Sequence, residues 1–140
     1  MQDKQHKQTV FYVDDNLKAR RLLTSVLERS GFTVVTATDT MEALRRMRET
    51  QFDLALLNYQ MSSISGSQLA GQIKCIRPDA PIVIISGQAF PSDEALNFVD
   101  AHVGSGAALD DLIATMHILL SRPLISQRKL VVSSEWSDST

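Results

Sequence analysis

Three runs of consecutive apolar residues, Val10–Val13, Leu54–Leu57 and Ile82–Ile85, constrain this chain more than any other feature. Each has strand length and is apolar at every position, the pattern of a strand covered on both faces. Polar residues follow each run: Asp14-Asp15, Asn58, and Ser86-Gly87. A β-rich stretch, 32–37, and a short strand near 101–103 complete a set of five, with the others read as 9–14, 53–57 and 82–85.

The segments between them carry helical signals. Asn16 is placed to cap a helix running to Arg29, with Leu22, Leu23, Val26 and Leu27 on one face and Gly31 suited to its C-terminal turn. Asp39 caps a second helix, 40–49, with Met41, Leu44 and Met47 at helical spacing. A loop at 62–66 leads to a third, marked by Leu69, Ile73 and Ile76, and Pro78 and Pro81 bracket the following turn. A weak helix is read at 92–98 and a strongly striped one at 107–121. Strands alternating with helices of this length predict a parallel sheet with helices on both faces, and right-handed crossovers leave few topologies. The chain divides into a polar segment 1–8, one domain over 9–121, and a Ser-rich tail 122–140. That tail holds one apolar island, Leu130-Val131-Val132, and the only tryptophan, Trp136. The tail is expected to be disordered, with docking on the domain as the alternative.

The 140 residues suffice for one core, and a formal charge of −2 supplies no attraction to nucleic acid or anionic membranes. The lone cysteine, Cys75, excludes an internal disulfide and fits a reducing cytosol. No stretch approaches the roughly 18 apolar residues of a membrane span. The polar amino terminus lacks a signal-peptide core, so a cytoplasmic location is expected. Cys75 reads as a semi-buried helix-flank residue. Lys18, Arg20, Arg21, Arg45, Arg46 and Arg48 read as solvated helix faces, and His102 as a packed strand-end side chain.

In open parallel sheets, chemistry gathers at the carboxyl ends of the strands. There the chain sets Asp14 and Asp15, Asn58, Ser86, and Gly104-Ser105-Gly106. An acidic pair can hold a hard cation such as magnesium. The same Asp14-Asp15-Asn16 also suits a turn and helix cap, and spacing alone does not choose between these.

The order of elements, the acidic pair and the loop around Gly66 resemble a bacterial response-regulator receiver domain (CheY-like) over about residues 8–121. Val13-Asp14-Asp15 is similar to that family's acidic pair. The stretch Asp53–Met61 is similar to the segment around its phosphoacceptor aspartate, and Asn58 falls on that aspartate. Ile84-Ile85-Ser86-Gly87 resembles the segment with its Ser/Thr switch. In Asp100–Gly106, Ser105 falls on the family's lysine and His102 on its aromatic switch position. Ser62 stands where proline is usual, and the segment between Gly87 and Asp100 is short, so a reduced fourth helix is expected. With the alternation of strands and helices, the resemblance predicts a doubly wound, flavodoxin-like α/β fold with five parallel strands ordered 2-1-3-4-5.

The departures have chemical consequences. Family phosphotransfer needs a carboxylate nucleophile, and the neutral amide of Asn58 does not form an acyl phosphate. Ser105 offers a hydrogen bond but no charge to a transferred phosphoryl group. The two losses occur together, which a single engineered block at position 58 would not explain. Asp14, Asp15 and Asn58 are left as a weak magnesium site, and no cofactor is required. The chain therefore reads as a degenerate pseudo-receiver without enzyme activity, a phosphorylation-independent protein-interaction module of two-component-type signalling. One alternative is a receiver that still binds magnesium and is phosphorylated at Tyr59, Ser62 or Ser63. Another is a dimerisation element of a larger regulator. The expected partner is a kinase, an output protein or a second copy. The resemblance implies a face made by the fourth helix, fifth strand and last helix, with Asp110, Asp111, Ala114 and His117 on its rim.

Overall fold

Every apolar run becomes a strand in the computed structural model, which describes residues 7–61, 66–87, 98–104, 108–121 and 130–132. The elements follow as β1 (Thr9–Val13), α1 (Leu17–Arg29), β2 (Thr33–Ala37), α2 (Thr40–Glu49), β3 (Leu54–Asn58), α3 (Gly66–Ile76), β4 (Ile82–Ser86), β5 (Ala101–Gly104), α4 (Leu109–Leu120) and β6 (Leu130–Val132). All strand pairs are parallel, in the order β2-β1-β3-β4-β5-β6. The expected five-strand order is thus present, and a sixth strand extends it. The apolar island of the tail pairs with β5, Val132 opposite Val103 and Leu130 opposite Ala101. Disorder does not describe this part of the tail. The open edge of β5 supplies unpaired backbone groups, and an apolar tripeptide with two β-branched valines can satisfy them.

The helix ends are set by the residues that the sequence marks. Asn16 accepts a hydrogen bond from the Ala19 amide at 2.9 Å, and Asp39 accepts one from Glu42 at 2.8 Å. Each such cap stabilises its helix by about 1 kcal/mol. Glu42 reaches back to the Thr38 amide at 2.8 Å, so two otherwise unpaired donors are satisfied reciprocally. Gly31, at φ 101°, takes the left-handed conformation that ends α1.

Alternation along the strands divides the core into two layers. Phe11 and Val13 face α2 and α3, where Ala43, Met47, Leu69 and Ile73 are buried. Val10 and Tyr12 face α1 and α4, where Leu23, Leu27, Leu112 and Met116 are buried. Burying each large side chain contributes roughly 1.5–3 kcal/mol before entropy is counted. A cross-brace ties the end of α3 to the segment between α2 and β3: Arg77 donates to the carbonyls of Thr50 and Phe52 and lies 4.5 Å over the Phe52 ring.

Several sequence expectations are corrected by packing. Leu22 is 64% exposed and Met41 82%, so the core-facing stripes of α1 and α2 are narrower than their apolar pattern. Leu22 precedes Leu23 and lies about 100° around the helix from it, too far to share the buried stripe. Cys75 is exposed, not semi-buried. Most of the helix expected at 92–98 lies outside the described residues. Phe98 is described, and its ring sits where a Cβ on Gly71 would approach within 3.3 Å.

Candidate functional site

The carboxyl ends of β1 and β3 bring Asp14 and Asn58 together. The register sets Val13 beside Leu57, so the next residue of each strand emerges at the same edge. Asn58 Nδ2 donates to Asp14 Oδ1 at 3.0 Å. The amide's orientation follows from its other end, because Asn58 Oδ1 accepts from the Gln60 backbone amide at 3.2 Å. The Asn16 amide donates to the same Asp14 oxygen at 2.9 Å, and the Tyr12 hydroxyl donates to Oδ2 at 2.7 Å. Asp14 is only 4% exposed, and three donors hold its charge.

Tyr12 is a site residue that the sequence reading missed. It lies two positions before Asp14 and therefore on the same face of β1, which was the available signal. Burial pushes its phenol well above the usual tyrosine range, with the Asp14 hydrogen bond and charge adding to the effect. The phenol stays protonated and acts as a donor. Arg20 also departs from the expected solvated face, since its Nη1 donates to the Asp14 carbonyl at 2.9 Å. Arg46 likewise donates to the Thr36 carbonyl, whereas Lys18, Arg21, Arg45 and Arg48 are exposed.

This arrangement bears directly on a cation. A hard cation needs oxygen ligands with open lone pairs. Here Asp14 already accepts three hydrogen bonds and keeps one open acceptor position, on Oδ2, and Asn58 turns its nitrogen toward Asp14 while its oxygen is engaged elsewhere. Asp15 is exposed. Among the described residues no group of three or more His, Cys, Asp or Glu is placed to hold a metal. The residues present do not fit a tightly held magnesium ion.

Ser86 and His102 are both buried, at 1% and 5% exposure. Their strands place them on the face toward α2 and α3: Ile84 packs in that layer and pairs with His102, and Ser86 pairs with Gly104. Burial lowers the pKa of His102, which favours the neutral ring. Ser105 and the loop residues Ser62 and Ser63 lie outside the described residues. On α4, Asp110, Asp111 and Ala114 are exposed. His117 stacks on Phe32, just beyond the C-terminal end of α1, at 5.3 Å between ring centroids.

A cavity of about 390 Å³ opens between α1 and α4 beside this site. Tyr12, Asp14, Asn58 and Gln60 line one end, and apolar side chains line most of the remainder. Among the described residues, no helix is long and apolar enough to cross a membrane.

Comparison with known proteins gives the family. The description Response regulator receiver domain matches residues 10–104. The chain is 28% identical over 116 residues to the response regulator MprA of Mycobacterium ulcerans, covering 81% of this chain and 50% of that protein. It is 29% identical over 116 residues to the transcriptional regulatory protein PrrA of Mycobacterium leprae, again covering 50% of that protein. The chain thus spans about half the length of these relatives. Among solved structures it resembles the response regulator TrrA of Thermotoga maritima in complex with Mg(2+)-BeF, with TM-score 0.76 and 29% identity, covering 80% of this chain and 98% of that one. A second structure holds TrrA in complex with the histidine kinase ThkA, with TM-score 0.75 and 30% identity, covering 81% of this chain and 99% of that one. Parallel strands in this order, an acidic residue at the end of β1 and a family match across most of the chain agree, and the protein belongs to the response regulator receiver domain family.

Proposed function

We propose that this protein is a degenerate receiver that works in two-component-type signalling through protein contacts, without phosphorylation of residue 58 and without enzyme activity of its own. The observation that carries this reading is the hydrogen bond from Asn58 Nδ2 to Asp14 Oδ1 at 3.0 Å. The amide supplies a neutral donor to Asp14, where a carboxylate would bring a second negative charge and require a cation. Asn58 thus removes the nucleophile and satisfies the acidic residue in one step. Ser105, in place of the family's lysine, removes the positive charge that would stabilise a transferred phosphoryl group. Magnesium is held only weakly, and no cofactor is needed. A cytoplasmic setting belongs to the same reading, from the polar amino terminus and the single cysteine.

The partner class follows from similarity. TrrA is known in complex with a histidine kinase, which supports a kinase or an output protein as this chain's partner. Homodimerisation through the β5 face is less well supported, because β6 pairs along 101–103 of that strand. Intact-mass analysis after treatment with acetyl phosphate and magnesium tests the proposal. The expected result is an unchanged mass. A stoichiometric phosphoryl adduct would refute it, and an adduct mapped to Tyr59, Ser62 or Ser63 would establish the alternative acceptor.

A further inference from the structure

We propose that the cavity between α1 and α4 is a binding site for an uncharged, mainly apolar small molecule whose hydroxyl-type end meets Asp14 and Asn58. The proposal rests on the reading that residue 58 no longer takes a phosphoryl group, which leaves the polar end of the cavity open to another ligand.

Three observations carry it. The first is size and lining. At about 390 Å³ the space lies within the range of small-molecule pockets, and Leu22, Leu23, Val26, Val103, Leu109 and Leu112 make its walls apolar. The second is cost. Leu22 and Leu109, from α1 and α4, are 64% and 47% exposed, so two large apolar side chains of the lining stand in water. An apolar occupant would remove that surface from solvent and supply the missing packing.

The third is the chemistry of the polar end. Asp14 Oδ1 accepts two hydrogen bonds and Oδ2 one, which leaves acceptor capacity on Oδ2. Asn58 Nδ2 uses one of its two hydrogens on Asp14. A hydroxyl can donate to the first and accept from the second. An anionic head would meet the Asp14 charge without the lysine that the family places nearby. A cationic head would meet an Asp14 charge that three donors already hold and would place a full charge against apolar walls. The arrangement selects a neutral end.

The test uses the full chain and three probes of similar shape: 4-phenylphenol, biphenyl-4-carboxylate and 4-phenylbenzylamine. Each is titrated while backbone amide shifts are followed. The expected result is saturable shifts with 4-phenylphenol at Ala19, Leu23, Asn58 and Leu112, and at least about tenfold weaker binding of both charged probes. Leu22→Trp, at a position 64% exposed, should crowd the cavity and weaken phenol binding by about tenfold or more. Absence of saturation up to the solubility limit overturns the proposal. So does equal or tighter binding of either charged probe, or phenol binding unchanged by Leu22→Trp. A phosphoryl adduct in the acetyl phosphate experiment would overturn the proposed function alone, and the phenol titration would still decide the cavity.

Discussion

Replacing Asn58 by aspartate should turn the central hydrogen bond of the site into a like-charge contact. The amide nitrogen lies 3.0 Å from Asp14 Oδ1, so a carboxylate oxygen would take its place at similar distance. Two unit charges centred about 4 Å apart repel by ~1 kcal/mol in bulk water and by ~4 kcal/mol at the effective dielectric near a protein surface. Asp14 is buried and Asn58 half-buried, which sets the cost between these limits. The lost hydrogen bond adds about 1 kcal/mol. A destabilisation of roughly 2–5 kcal/mol at neutral pH is expected, a large share of the ~5–15 kcal/mol that holds a domain folded. The pH dependence gives a second check. Asp14 raises the folded pKa of the new carboxylate, so between the unfolded and folded values the folded state binds more protons. The penalty is therefore small below the unfolded value of about 3.9 and grows as pH rises through the raised folded value. Urea unfolding of Asn58→Asp and the parent protein, in chelator and across this acid-to-neutral range, measures it. Magnesium should then rescue the variant selectively: about 10 mM ion against a Kd of about 1 mM returns ~1.4 kcal/mol. Equal stability of the two proteins at neutral pH in chelator would refute the Asn58–Asp14 contact. Equal stabilisation of both by magnesium would refute the poor fit of the present site to a cation.

Three further outcomes follow from particular residues. Tyr12→Phe keeps the buried ring but strips Asp14 Oδ2 of its donor, and should cost about 1–3 kcal/mol in urea unfolding. In the parent protein the raised Tyr12 pKa means that stability is full below about pH 10 and falls above it, where the unfolded chain ionises first; Tyr12→Phe should flatten that fall. His102, buried and lowered in pKa, should make the protein less stable as pH drops below about 6.5, because the unfolded state then binds the proton that the folded state resists, and His102→Phe should remove this slope. Removal of residues 130–140 takes away β6 and bares the β5 edge, so the shortened chain should self-associate in size-exclusion chromatography at concentrations where the full chain does not.

Much of the architecture was legible along the chain. Runs such as Leu54–Leu57 and Ile82–Ile85 are apolar at every position and short, the pattern of a strand covered on both faces. Asn16, Gly31 and Asp39 mark helix ends because capping depends on one side chain and a few neighbouring backbone groups. Chemical identity was equally local: an amide at 58 and a serine at 105 are read directly from the letters. The tertiary structure decided what depends on residues distant in sequence. The bond from Asn58 to Asp14 spans 44 positions, and no spacing rule reveals which amide atom faces the carboxylate. Arg20 and Leu22 both sit on α1, yet one reaches the Asp14 carbonyl and the other stands in water, because the sheet beneath the helix chooses its buried stripe. The tail island became a strand only because β5 had an edge to offer. Propensity and capping are properties of short segments, whereas partners, burial and cavities arise when separate segments meet, and that is where sequence alone stops.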